Sequence, residues 1–279
     1  MTIKSILKKN KYIYSSLVIV MNVIQFLIST VKFQISKFLR VSRICRKSRY
    51  EKLKNLKDKH LGERCFIVAT GPSLVIEDLE KLRNEITFSM NSIFLSFDET
   101  KWRPNYYGIQ FPEFYQKYKN EIDHLDVETK LFGDVISKQI KIPDDYYIYP
   151  LNMLNHNWAH KKYHSKFSDD AFKVVYSGYT ISYSLIQLAV YMGFKEIYLI
   201  GVDCNYSINN NNHFKDYGIV DPEVAEASKK MICAYEEAKK YADYSQIKIY
   251  NASRGGMLEV FERVDFDSLF IKEKVENIG

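Results

Sequence analysis

Hydrophobic and polar positions divide the chain into two regimes. Residues 12–31 run from Tyr12 to Val31 without a charged side chain. Twenty such positions in a helix just cover the hydrocarbon thickness of a bilayer. From Cys65 onward the apolar residues come instead in short blocks without alternation: Cys65–Ala69, Ile86–Met90, Asn105–Gln110, Thr129–Phe132, Tyr146–Tyr149, Lys195–Ile200 and Ile247–Tyr250. Blocks of that length and character are what parallel strands buried on both faces require. Helical patterns separate several of them. Residues 76–83 carry carboxylates in the first turn and Arg83 near the end, as the helix dipole favours. Residues 181–192 place Ile181, Leu185, Leu188, Ala189 and Met192 at helical spacing, and Gly193 is positioned as a terminating glycine. A further helix is expected over 223–242. The alternation predicts an α/β fold: one Rossmann-like, mostly parallel sheet flanked by helices, with an N-terminal hydrophobic basic helix. Residues 151–172 are polar and rich in His, and take no assignment. Asn205 to Pro222 is a long polar stretch with four consecutive Asn, which reads as a lid over about 203–222 or as a disordered loop.

Charge sharpens the division. Residues 1–60 hold fifteen Lys and Arg against Glu51 and Asp58, a net +13, so within a total of +6 the remainder carries −7. The basic excess lies on an arm and connector (1–60) and not on the domain (61–279). That argues against a nucleic-acid-binding core and for an arm that meets an anionic membrane surface. Basic residues on both sides of the uncharged run leave open whether it spans the membrane or lies on it. No small-residue cleavage site follows it. A third reading, an amphipathic helix packed on the domain or in a homo-oligomer, stays open. The expected location is the cytoplasmic face of the membrane. Four cysteines without a CxxC pair, with Cys65 inside a strand, fit a reducing compartment and no structural zinc.

Candidate chemistry gathers where the strands end. Cys65–Ala69 gives way to Thr70-Gly71-Pro72-Ser73, a turn in which Gly frees the backbone and Pro fixes it. Strand, tight turn and helix start together suggest an anion site at the carboxyl edge of the sheet. Asn91-Ser92, Ser177-Gly178 and Asn251 to Gly256 end other runs with small or amide residues. Each is also an ordinary cap or turn, but four on one edge would make a cleft. In the lid, His213 lies between Asn212 and Phe214, with Tyr206 and Tyr217 nearby. A histidine there can take a proton from a hydroxyl nucleophile. His156, His160 and His164 recur every four residues, as metal ligands on one helix face would, but no acidic partner sits within that spacing. The chain has neither a GxxxxGK[ST] loop nor GxGxxG in its first turn. No Asp-x-Asp pair suited to a metal nucleotide occurs, so a metal-free mechanism is expected, with a single-Asp magnesium site at Asp203 as the alternative.

The Gly71-Pro72-Ser73-Leu74 turn, Asn91 after the second strand, Ser177-Gly178 before a helix, and Gly193-Phe-Lys-Glu-Ile-Tyr-Leu-Ile-Gly-Val-Asp203 resemble bacterial sialyltransferases of the Campylobacter type. They equally resemble the 6-hydroxymethylpterin diphosphokinase (MptE-like) superfamily, which includes flagellin-modifying glycosyltransferases. The resemblance covers roughly 64–255. It implies a single nucleotide-sugar domain with a lid and no metal, transferring sialic acid from a CMP-linked donor with inversion. By position, Thr70 to Ser73, Asn91 and Gln110 would meet the nucleotide, Ser177 and Gly178 the donor, and Asp203 would open the lid. Tyr206 and Tyr217 would meet the leaving phosphate, and His213 would be the base. Thr70 and Gln110 stand where those enzymes carry Asn, which weakens the expectation of a cytidine donor. The acceptor would be a glycan or a lipid-linked sugar in surface polysaccharide assembly. The rival expectations are a diphosphokinase moving pyrophosphate from ATP and magnesium to a pterin, and a non-catalytic nucleotide-binding component of such an assembly.

Overall fold

The computed structural model of the protein describes residues 11–44, 48–153, 165–205 and 224–271. Its first element, α1 (Lys11–Val41), is a 31-residue helix that continues ten residues past the uncharged run. A 3-10 turn follows at Glu51–Leu56, with Leu53 and Leu56 buried in the core of the domain. The connector, placed on the arm side of residue 60 by its charge, therefore packs into the body through its two leucines.

The body is built on β1 (Arg64–Val68), β2 (Thr87–Met90), β3 (Tyr106–Ile109), β4 (Thr129–Gly133) and β5 (Tyr147–Tyr149), then β8 (Glu196–Ile200), β9 (Lys248–Asn251) and β10 (Glu262–Arg263). They form one eight-stranded sheet in the order β10-β9-β8-β1-β2-β3-β4-β5, and every pairing is parallel. Between β5 and β8 the chain makes a separate two-stranded ribbon from β6 (Leu151–Asn152) and β7 (Val175–Tyr176), with Leu151 opposite Val175.

β1 shows why the blocks lack alternation. Cys65 and Ile67 face one hydrophobic cluster while Phe66 and Val68 face the other, so each side of the pleat meets a core. Helices α6 (Ile181–Tyr191) and α7 (Val224–Ser245) cover the first face with Leu185, Leu188, Ala234 and Tyr235. The second face is covered by shorter pieces: α2 (Ile76–Lys81), α3 (Pro112–Lys117), α4 (Lys119–Asp123) and α5 (Asp134–Ser137). Leu79, Phe114 and Ile122 seal that side, joined by Ile93 from the 3-10 turn Asn91–Ser96. Gly193 ends α6 at φ +94°.

Strand order locates the crevice. The chain enters the sheet at β1, builds outward through β2 to β5, then crosses back to lay β8 on the other side of β1. The loops leaving β1 and β8 diverge, and that is where open α/β sheets bind ligands.

Candidate functional site

The turn after β1 and the exit of β8 are joined across the crevice. Gly71 N–H donates to Gly201 O at 2.9 Å, and Ser73 N–H donates to Asp203 Oδ2 at 2.8 Å. Ser73 Oγ donates to the other oxygen of the same carboxylate. Leu74 N–H turns back to Gly71 O at 3.2 Å. Three amides of the turn are therefore already paired within the protein. The anion facing the turn is the carboxylate of Asp203, itself 6% exposed. Gly71 is obligatory for this approach, because a Cβ there would stand 2.6 Å from Asp203 Oδ2 and closer still to Gly201 O. The helix behind the turn, α2, is only six residues long, so its dipole adds little. Thr70 is buried just before the turn, and Pro72 is exposed at its tip.

A third exit braces this pair. Met257 N–H donates to Asp203 O at 2.6 Å, and Ser253 Oγ accepts from Val202 N–H at 3.0 Å. Asn251 is fully buried and holds its own loop, donating to Leu258 O at 2.6 Å and accepting from Ser253 N–H at 3.0 Å. Arg254 reaches back under the first turn to Asp78 in α2, with contacts of 2.6 and 3.1 Å, and also meets Asp267 at 2.9 Å. Asp78 is fully buried, and the guanidinium of Arg254 is its partner there. Bonding to Arg254 and then Lys81 holds the Asp267 carboxyl down at about 2, and bonding to Asp78 and Asp267 drives Arg254 upward. Beside this brace a cavity of about 360 Å³ opens between residues 252–254 and 263–266.

The exit of β2 is different, since two of its side-chain oxygens are unpaired among the described residues. Asn91 Oδ1 and Ser92 Oγ are buried with no hydrogen-bond partner among the described residues. Asn91 is held at φ +47°, and its carbonyl accepts from Tyr107 Oη at 2.5 Å. Cys204, past the end of β8, is likewise left-handed at φ +49°. Strained residues at strand exits with unsatisfied polar atoms are what pre-formed binding sites display. Burial, aided by the charge of Asp203, pushes the Cys204 thiol up to about 12.

The remaining expected residues turn inward. Gln110 is 1% exposed and accepts from Ser184 Oγ of α6 at 2.8 Å and Tyr149 Oη at 3.5 Å. Ser177 and Gly178 leave the ribbon and not the main sheet. Ser177 is buried, its N–H on Asn152 O at 2.9 Å. A Cβ on Gly178 would overlap the Tyr183 ring and stand 2.8 Å from Ala234 Cβ, so this glycine lets α7 approach the start of α6. Thus Thr70 to Ser73, Asn91 and Asp203 share the carboxyl rim; Gln110 follows β3 on that same rim but turns its side chain inward, and Ser177 and Gly178 leave the separate ribbon. Tyr206, His213 and Tyr217 lie outside the described residues, as do His156, His160 and His164. Asp78 and Arg254 were not singled out by sequence reasoning. Asp78 carried a signal only as a first-turn carboxylate.

Residues 38–209, more than half of the chain, match the family described as 6-hydroxymethylpterin diphosphokinase MptE-like. The chain belongs to the MptE-like family. No curated protein matches this MptE-like chain. Among solved structures it is similar to the MAf glycosyltransferase from Magnetospirillum magneticum AMB-1, at 16% identity and a TM-score of 0.49. That match covers 77% of this chain and 36% of the other, so the MptE-like chain spans about a third of that protein's length. It is also similar to the sialyltransferase CstII from Campylobacter jejuni in complex with the substrate analogue CMP-3FNeuAc, at 14% identity and a TM-score of 0.43. That second match covers 72% of this chain and 86% of the other.

Proposed function

We propose that this MptE-like protein is a glycosyltransferase that moves a sugar, sialic-acid-like by the motif resemblance, from a CMP-type donor to a glycan or lipid-linked acceptor. The observation that carries the reading is the exit of β2, where Asn91 Oδ1 and Ser92 Oγ are orphaned beside the switch-point crevice. A buried amide oxygen without a donor costs about 1–3 kcal/mol. The amino group of a cytosine or the hydroxyls of a ribose would relieve that cost. The turn fixed by Asp203 would form the wall against which the nucleotide lies. The donor class comes from the Gly71–Leu74 and Gly193–Asp203 motifs. In this reading the lid supplies the chemistry: His213 takes the proton of the acceptor hydroxyl, and Tyr206 and Tyr217 donate to the departing phosphate.

The diphosphokinase reading requires a magnesium nucleotide, and hence free carboxylates at the rim. Both oxygens of Asp203 are engaged by Ser73, and Asp78 is engaged by Arg254. Among the described residues no three His, Cys, Asp or Glu side chains cluster as metal ligands would. With both carboxylates committed inside the protein, we propose a mechanism without magnesium. Calorimetric titration of CMP, a CMP-sugar, and ATP with magnesium and pterin tests the assignment. CMP-selective binding is expected, with a thermal midpoint that climbs as CMP is added. Binding of ATP with pterin-dependent release of AMP would establish the diphosphokinase instead. Donor binding with neither hydrolysis nor transfer would leave a non-catalytic component.

A further inference from the structure

We infer that α1 is a transmembrane stem, crossing the bilayer once and leaving the acidic body standing off an anionic headgroup surface. The inference goes beyond the proposed reaction and does not rest on it. At 1.5 Å per residue the uncharged run 12–31 measures about 30 Å, the hydrocarbon thickness, and the ten residues that follow rise about 15 Å further. Among its described side chains, none in the apolar window is buried against the body. Apolar side chains surround the helix: Leu17 and Ile24 point one way, Ile19 stands about 160° around from Leu17, and Met21 lies between. A helix lying at the interface would need a charged wet face. Here the side turned away from Leu17 and Ile24 carries Ser15, Asn22 and Ser29, all uncharged.

Charge decides between crossing and lying flat. The body carries −7 and the arm +13. Laying α1 along an anionic surface would bring the acidic body against like charge, whereas a crossing helix sets its flanking cations, Lys11 at one end and Lys32 and Lys37 at the other, at the two headgroup layers. The body-side end of the helix is anchored, because Arg40 is part of the folded body. Arg40 is 4% exposed, and its guanidinium donates to Phe172 O at 2.7 Å and Lys173 O at 2.6 Å and stacks 4.6 Å from the Tyr50 ring centroid. Removing the helix would leave two carbonyls and a ring without their cation.

Full-length protein in membranes of an expressing cell tests this. It should stay with the membrane through 1 M salt and through sodium carbonate at high pH, leave only with detergent, and keep its N-terminal residues by mass spectrometry. Ile24→Lys should become carbonate-extractable while its thermal midpoint with and without CMP is unchanged, which separates lost insertion from lost folding. Release of the parent protein by carbonate would show a surface-lying helix and overturn the stem. A soluble protein that sediments as a dimer would give the apolar face to a second copy. A shortened N-terminus would show a leader. Failure to bind CMP would leave this result standing and count only against the proposed function.

Discussion

Asp203 is the residue on which the site turns. Its carboxylate accepts two hydrogen bonds from Ser73, so it fixes the turn after β1 from a strand exit 130 residues away. The Asp203→Ala variant should lose about 1–3 kcal/mol in denaturant unfolding, since the half-buried Ser73 N–H and Oγ then lack their acceptor. Asp203→Asn, which keeps one acceptor oxygen, should lose less. Equal stability of Asp203→Ala and parent would remove the carboxylate from its bracing role. Next to it, Cys204 is held neutral by burial, and its pKa of about 12 lies above the unfolded value near 8.5. A raised thiol pKa contributes nothing unfavourable below about pH 8, and stability then declines as the pH climbs from 8.5 toward 12. Thiol labelling at pH 8 should accordingly be slow at Cys204 until the protein unfolds; prompt labelling would contradict the burial. For the proposed base, His213→Ala should abolish transfer and leave CMP affinity within about twofold, because a general base would act on the acceptor and not on donor binding. Undiminished turnover would take His213 out of the mechanism. Sequence marked Asp203 and Ser73 as rim residues but not as partners, and it could not have done so. Their pairing, like that of Asp78 with Arg254 across 176 residues, follows only from strand order.

At the scale of elements, what could be read was what periodicity and burial dictate together. The apolar blocks at Cys65, Ile86 and Lys195 became β1, β2 and β8 because strands covered on both faces need no alternation. The helical spacing of Ile181, Leu185, Leu188 and Ala189 became α6. Hidden from that reading were β6, β7 and β10, each two residues long and too short to show any period. For the same reason Ser177-Gly178, which looked like a rim exit, turned out to leave a ribbon and to serve helix packing. Gly178→Ala tests that role. The added methyl meets the Tyr183 ring and Ala234, and overpacking of this kind costs about 1–3 kcal/mol. The variant should unfold earlier, and any change in CMP affinity should follow the change in stability. A stable protein with selectively lost CMP binding would return Gly178 to the ligand.

Across the whole molecule, the sequence division by charge was visible, while the join between the two parts was not. Arg40, Leu53 and Leu56 tie the basic segment to an acidic body by burial, which net charge does not report. Strand order also predicts how stability is distributed. β8, β1 and β2 lie at the centre with neighbours on both sides, whereas β10 and β5 close the edges with two and three residues. Hydrogen exchange should therefore be slowest at 65–68 and 197–200 and fastest among the strands at 262–263. A ligand in the switch-point crevice adds protection only where backbone lines that crevice. Saturating CMP should slow exchange at 70–74 and 91–96 and leave the opposite edge of the sheet, around 193–196, unaffected. Protection appearing at 193–196 instead would move the nucleotide to the cavity of about 480 Å³ that Lys57, Lys195 and Tyr241 line there. Such a result would separate the bound ligand from Asn91 and Asp203 altogether, because the two rims lie at opposite ends of every strand.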